Sequence, residues 1–146
     1  MSLLKWLNDK LSGKSSELNI SPNENTLTGL NLKDALAAHD AWKDKLNAEL
    51  SGASKVPIDV TKIEHDNLCV LGKWLYGSGK DKYSHLPEYE SARKAHTAFH
   101  LAAAEVVIAH QSGNTEKAGV LLKSNFRVAS NNNQLELVRL FTVAHN

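Results

Sequence analysis

Apolar residues recur every three to four positions along most of the chain, which is the spacing of an amphipathic α-helix. The first such stripe lies within residues 1–11 and consists of leucines. The stretch 12–29 contains Ser, Asn, Gly and Pro and shows no such period, which is typical of a linker. We therefore predict an N-terminal amphipathic segment and a flexible linker over residues 1–29, followed by a helical body over residues 30–146.

Four further stripes lie in the body, and they cover residues 31–51, about 66–76, 87–111 and 114 onward. Asn31 and Pro87 suit the first turn of a helix, whereas Gly52 suits its end. The asparagines at 131–133 are poor helix formers and mark the place where we expect any break in the fourth helix. No segment shows strand alternation, so the pattern predicts an all-α fold. We expect an up-and-down four-helix bundle with a short second helix and a short N-terminal amphipathic helix.

Composition narrows the class of protein. With 146 residues, 42% hydrophobic and 23% charged, the chain has the length and composition of one soluble globular domain. A formal net charge of +1 without a block of Lys and Arg argues against nucleic acid as a partner. No apolar run approaches the ~20 residues of a transmembrane helix, and the N-terminus lacks the features of a secretory signal. We therefore expect no transmembrane segment.

The chain contains one cysteine, Cys69. A single cysteine cannot form an internal disulfide, which fits a reducing compartment and leads us to expect a cytoplasmic protein. Three roles remain open for its thiol: a small buried hydrophobic group, a reactive nucleophile or a metal ligand.

Four side chains on three predicted helices combine into a candidate metal site. His96 and His100 are one helical turn apart, so both imidazoles project from the same face of the third helix. His39 falls on the apolar stripe of the first helix, and Cys69 lies on the apolar side of the second. Taken singly, each is more often an ordinary core residue. Together, four nitrogen and sulfur donors form a complete tetrahedral shell for Zn²⁺.

Features that the sequence lacks argue against an enzyme. A zinc protease of the HExxH type would have glutamate after the first histidine, whereas Thr97 follows His96. A closed four-ligand shell leaves no position for a catalytic water. A di-iron oxygen carrier would need bridging carboxylates on its helices. A glutamate four residues after His65 could have been one of them, but Cys69 occupies that position. We expect a closed mononuclear site and no catalytic residues.

With these motifs the chain resembles the chemoreceptor zinc-binding (CZB) domain family of bacterial signalling proteins. The resemblance covers about residues 31–110. Three sequence motifs carry it: His39, Trp42 and Leu46; Cys69-Val70-Leu71-Gly72-Lys73-Trp74-Leu75; and His96, Phe99 and His100. The ligand positions 39, 69, 96 and 100 are separated by 30, 27 and 4 residues, as in that family.

This resemblance implies a three-histidine, one-cysteine zinc site in a helical bundle that often dimerises. Members are usually attached to chemoreceptors or diguanylate cyclases, whose output responds to zinc or to oxidation of the cysteine. We expect a stand-alone member, a sensory or regulatory module that acts on an unidentified signalling protein of chemotaxis or cyclic-di-GMP type. The alternative is a zinc-stapled structural adaptor with no switching role; a hydrolase or an oxygen-handling protein is a third hypothesis, which the closed shell disfavours.

A homodimer is expected partly from the resemblance and partly from the third helix, where Leu101, Val106, Val107 and Ile108 cover more than one face.

Residues near the candidate ligands yield further expectations. The missing side chain of Gly72 would let another helix approach the metal. Asp66 is interpreted as the N-cap of the second helix rather than as a partner of a ligand imidazole. Trp42 and Trp74 could shield the site or simply belong to the core. The remaining histidines are expected to be solvated: His65, His85, His110 and His145.

Overall fold

The computed structural model describes residues 3–13 and 23–145. Its helices are α1 (Leu3–Leu11), α2 (Leu32–Ser51), α3 (Val60–Ile63), α4 (Val70–Tyr76), α5 (Ser78–Tyr83), α6 (Pro87–Gln111), α7 (Thr115–Lys123) and α8 (Asn125–Ala144). Two short antiparallel strands precede α2: β1 (Thr26–Leu27) and β2 (Leu30–Asn31). The predicted all-α bundle is confirmed.

The ends of α2 and α6 agree with the sequence analysis for the expected local reasons. The Asn31 side chain accepts a hydrogen bond from the backbone N–H of Asp34, which satisfies one of the free amides in the first turn of α2. Gly52 adopts φ +79° after the last turn, a conformation that glycine accepts without strain. Pro87 stands at the start of α6.

Part of the predicted linker is regular structure. Residues 14–22 lie outside the described residues, but β1 and β2 form a hairpin whose two-residue turn is Thr28-Gly29. Both turn residues have positive φ, as a tight hairpin of this kind requires. Leu27 and Leu30 are buried, so the hairpin contributes to the core rather than connecting two independent parts.

The predicted second helix, from about 66 to 76, is wrong in its first residues. Helix α4 begins at Val70, and the short helices α3 and α5 lie on either side of it. Gly77 ends α4, but the chain turns at once into α5, and Gly79 is buried there rather than ending a helix. A Cβ at Gly79 would lie 2.8 Å from the Trp74 ring, so close packing of α5 on α4 explains this glycine.

The fourth predicted helix is interrupted at Ser124, between α7 and α8, and not at residues 131–133. Ser124 has φ −116° and ψ −90°, which breaks the helical path, and its hydroxyl donates to the carbonyl of Val120. Asn133 lies within α8 and is buried. Tertiary packing therefore overrides the low helix propensity of the asparagine run.

Helix α6 occupies the centre of the fold and contacts α2, α3, α5, α7 and α8. The buried apolar residues form two clusters. One lies mainly between α1, the hairpin, the first half of α2, α4 and α8, and the other mainly between the second half of α2, α6 and α7. Helix α1 packs on α8 through buried Trp6 and Leu7. Over the described residues, no helix is both long and apolar enough to cross a membrane.

Candidate metal centre

The structure brings all four predicted ligands to one point. His39 projects from the middle of α2, Cys69 precedes α4, and His96 and His100 project from α6. Each offers one ligand atom, and these four atoms lie within 4.8 Å of one another. The three histidines are buried and Cys69 is half-buried. No carboxylate of residues 3–13 or 23–145 belongs to this group.

Four of the six distances between the donor atoms lie close to the edge lengths of a tetrahedral zinc site. Cys69 Sγ lies 3.2 Å from His96 Nε2, 3.6 Å from His100 Nε2 and 4.0 Å from His39 Nε2. The two Nε2 atoms on α6 are 3.1 Å apart. A tetrahedron with Zn–S of about 2.3 Å and Zn–N of about 2.0–2.1 Å has S···N edges of about 3.6 Å and N···N edges of about 3.4 Å. The donor set and its spacing therefore suit zinc.

Backbone carbonyls orient two of the three imidazoles. His39 Nδ1 lies 2.8 Å from the carbonyl oxygen of Ala35, and His100 Nδ1 lies 2.8 Å from that of Ile63. A carbonyl can only accept, so each Nδ1 carries the proton and donates it. The Nε2 atoms of both rings consequently present lone pairs to the centre. Lone pairs converging on one buried point are stabilised by a cation.

His96 is held differently. Its Nε2 faces the other donors, but its Nδ1 is buried and has no hydrogen-bond partner among the described residues. A ligating histidine ordinarily donates its second N–H to an acceptor. On the Nδ1 side, which faces away from the centre, this imidazole is therefore held by packing and not by a hydrogen bond.

Burial keeps the three imidazoles neutral. It lowers the pKa of His39 and of His100, although the carbonyls of Ala35 and Ile63 oppose the change. The pKa of His96 falls to about 3, first through burial and then through its two histidine neighbours. Neutral imidazoles are the form that binds metal, so these side chains need not lose a proton on ligation.

Cys69 forms the N-cap of α4, and its position depends on close backbone packing. The Gly72 N–H donates to Cys69 Sγ at 3.3 Å, while burial raises the pKa of the thiol. A Cβ at Gly72 would lie 1.8 Å from the carbonyl oxygen of Asp66. The expectation that another helix approaches Gly72 is therefore wrong: the backbone just before Cys69 lies against it.

The Asp66 carboxylate does not cap a helix, which corrects the interpretation from sequence. It accepts hydrogen bonds from the Tyr76 hydroxyl at 2.6 Å and the Thr97 hydroxyl at 2.5 Å. Burial opposes its ionisation, but these bonds lower its pKa overall. Asp66 thereby ties the loop before Cys69 to the end of α4 and to α6. The sequence held no signal for this contact, because the partners lie 10 and 31 residues away.

The aromatic neighbours are only partly those expected. The Phe99 ring lies edge-on to His39 and His100, with centroids 5.0 Å and 5.5 Å away. Trp74 instead belongs to the cluster with α1 and α8, and its Nε1 donates to the Thr28 carbonyl. Trp42 is half-buried and packs against the other cluster. Phe99, on the same face of α6 as the histidines, is therefore the aromatic residue in direct ring contact with two candidate ligands.

An open cleft of about 590 Å³ reaches the centre from one side, and both Cys69 and His100 line it. Its walls include Trp42, Val56 and Leu68, of which the last two are exposed apolar residues. Cys69, which is half-buried, therefore lies at a cleft that is open to solvent.

The other histidines stay outside the group. His65, His85 and His145 are exposed, and half-buried His110 contacts the Thr115 hydroxyl. His65 is the nearest in sequence to Cys69, and its Nδ1 lies 2.5 Å from the Thr61 carbonyl.

Comparison with known families shows that residues 39–107 fit the sequence model of the chemoreceptor zinc-binding domain. This segment contains all four candidate ligands. Comparisons with curated proteins and with solved structures find no match.

Proposed function

We propose, from the premise that residues 39–107 form a chemoreceptor zinc-binding domain, that this chain is a zinc-binding signalling module whose output depends on the metal centre. The observation that carries the proposal is the convergence of four donors, with His39 and His100 fixed by carbonyls so that their lone pairs meet at one point. No catalytic role is proposed, because four protein donors complete a tetrahedral zinc shell.

The proposed ligands are His39, Cys69, His96 and His100. When bound, zinc would hold the Cys69 sulfur as thiolate at neutral pH. The chain supplies the rest: carbonyls that orient two rings, Phe99 beside them and the Gly72 amide on the sulfur.

Metal analysis of the purified full chain tests this assignment. We expect one zinc per chain and an X-ray absorption spectrum with three nitrogen ligands, one sulfur ligand and no water. Iron in the elemental analysis, or an oxygen-rich shell in the spectrum, would overturn it.

The finer proposal is that Cys69 is a redox switch. Half-buried Cys69 lines the open cleft, which is the proposed path for small oxidants, and thiolate is the form they attack. Peroxide or hypochlorous acid would convert the thiolate to sulfenic acid, with hydroxide or chloride as the leaving group. A neutral sulfenic acid is a poorer ligand, so three histidines would remain to hold the ion.

The alternative to a switch is a purely structural zinc site. To distinguish the two, the protein is treated with stoichiometric oxidant and the released zinc is measured with a colorimetric chelator. A switch releases zinc in proportion to oxidised Cys69 while the helical circular-dichroism signal persists. Retained zinc on a chain whose Cys69 is shown to be oxidised would favour the purely structural site.

The output is proposed to be an unidentified signalling protein of chemoreceptor or diguanylate cyclase type, and the chain is proposed to act as a homodimer in the cytoplasm. The match of residues 39–107 to the family supports the first two statements, and the single cysteine supports the third. Affinity capture from the native host, with zinc-loaded and zinc-free protein compared, tests the output. Capture of the same partner in both states would argue against zinc control.

A further inference from the structure

A second cleft of about 570 Å³ lies between α1, α2, α7 and α8, and it shares no residue with the metal centre. Lys10 lines it from α1, Lys43 from α2, Lys123 from the end of α7 and Arg127 from the start of α8. Four cations from four helices thus face one cavity, although the whole chain has a formal net charge of only +1.

The positive charge of this cleft is mostly uncompensated. Among the described residues Asp40 is the only acidic one that lines it, and Asp40 is already engaged by Lys10 and by the Gln134 side chain. Within the described part of the chain, Lys43, Lys123 and Arg127 form no ion pair. Three free cations around one concave surface favour an anionic ligand.

The rest of the lining favours an organic anion over a bare inorganic one. Leu122 and Phe126 are buried apolar side chains at the cleft, whereas Ser130 and Asn131 add neutral polar groups. Helix α8 begins at Asn125, so the positive end of its dipole lies on the same side as Arg127. The volume falls in the range of about 300–1,000 Å³ that is usual for small-molecule sites.

We propose that this cleft binds a phosphorylated small molecule of nucleotide size. Its phosphate groups contact Lys43, Lys123 and the guanidinium of Arg127, which suits bidentate binding of phosphate oxygens. Its organic part lies toward Leu122 and Phe126. Lys10 of α1 pairs with Asp40 of α2 and donates to Gln134 Oε1 of α8. The proposed ligand would therefore lie next to the contacts that hold α1 against α2 and α8.

Calorimetric titration of the zinc-loaded full chain with ATP, GTP and inorganic triphosphate tests the proposal. We expect ATP or GTP to bind more tightly than triphosphate. Lys123→Gln combined with Arg127→Gln should weaken that binding by about tenfold or more, since it removes two charge-assisted hydrogen-bond donors from the phosphate groups. The matched control is Lys94→Gln with Lys73→Gln, two exposed cations that do not line the cleft.

Because the exchanged side chains are exposed, circular dichroism should show both double variants folded. No nucleotide binding at millimolar concentration, or equal weakening in the two variants, would remove the proposal. Triphosphate binding as tightly as the nucleotides would remove its organic part. Binding to phosphatidylserine vesicles is measured as the last experiment. If the chain binds the vesicles but no nucleotide, the cations serve a lipid surface and the proposal of a small-molecule site is overturned.

Discussion

At the scale of single residues, orientation distinguishes a metal ligand from an ordinary histidine. His65 and His100 both place Nδ1 against a backbone carbonyl. Of these two, only His100 directs its Nε2 toward other donor atoms. His65 is exposed and does not belong to the cluster of His39, Cys69, His96 and His100. The inward position of the ligands could be inferred from their place on apolar stripes. The orienting carbonyls of Ala35 and Ile63 could not, since every residue has a carbonyl.

The first prediction concerns the ligands themselves. His96→Ala or Cys69→Ala should lower zinc affinity by well over tenfold, because changes to groups that merely support a ligand already cost about 10–100-fold. His65→Ala and His110→Ala should leave affinity near that of the unchanged chain. Competition with a chromophoric chelator measures all four. Similar losses at His65 and at His96 would contradict the assignment.

At the scale of secondary-structure elements, long helices could be predicted from the sequence and short ones could not. Helices α2 and α6 have 20 and 25 residues, which give several turns of apolar period and clear terminal residues. Helices α3, α4 and α5 have four to seven residues, below the length at which an isolated helix is stable. Tertiary contacts determine where they begin, such as the sulfur cap of Cys69 and the tie made by Asp66.

The second prediction compares two glycines in helix interiors. Gly72→Ala should destabilise the protein by about 1–3 kcal/mol, because the new Cβ meets the Asp66 carbonyl and the backbone must shift. Gly119→Ala is the matched control in α7, where a Cβ meets no heavy atom within 4 Å. It should stabilise by about 0.5–1 kcal/mol through helix propensity. Urea unfolding measures both free energies; a stabilising Gly72→Ala would show that the approach of the 66–67 backbone is not retained.

Gly72→Ala should also weaken zinc binding, because the Gly72 amide contacts Cys69 Sγ and the displaced backbone carries Cys69 with it. Gly119→Ala should not change zinc affinity. Unchanged zinc affinity in both variants would show that the packing around Gly72 does not affect the metal centre.

At the scale of the whole molecule, the candidate centre lies where the two apolar clusters meet. Cys69 packs against the cluster of α4 and α8, whereas Phe99, next to His39 and His100, belongs to the cluster of α6 and α7. The sequence indicated an inward site but not a division of the core, because the pairing of distant helices is absent from local patterns. Helix α1 packs on α8 and was predicted only as a separate amphipathic segment.

The third prediction is a homodimer through α6. Of the four residues that motivated it, Val106 and Val107 are buried within the chain, while Leu101 and Ile108 remain about half exposed on one face. Leu101→Lys with Ile108→Lys should dissociate the dimer, whereas Val120→Lys on exposed α7 should not. Sedimentation at micromolar concentration is the measurement. A 16.0 kDa species in the unchanged chain would remove the dimer.

The fourth prediction is that the fold survives removal of zinc with only local loosening. Each cluster buries its own apolar residues without the metal, so chelation should leave the helical circular-dichroism signal intact. The melting temperature should fall on the order of 8 °C, since free zinc at a hundred times its Kd stabilises by about 2.7 kcal/mol.

Hydrogen exchange locates the loosening. It should rise over residues 64–70, where Leu68 and Val70 are exposed and Cys69 loses its bond to the metal. Exchange over 71–76 should change little, because Leu75 is buried and its carbonyl accepts from the Tyr89 hydroxyl. Readdition of zinc should restore protection, which serves as the control for damage by the chelator. Loss of protection throughout α6 and α8 would mean that zinc staples the whole bundle, and a regulatory role would then have no folded zinc-free state to signal from.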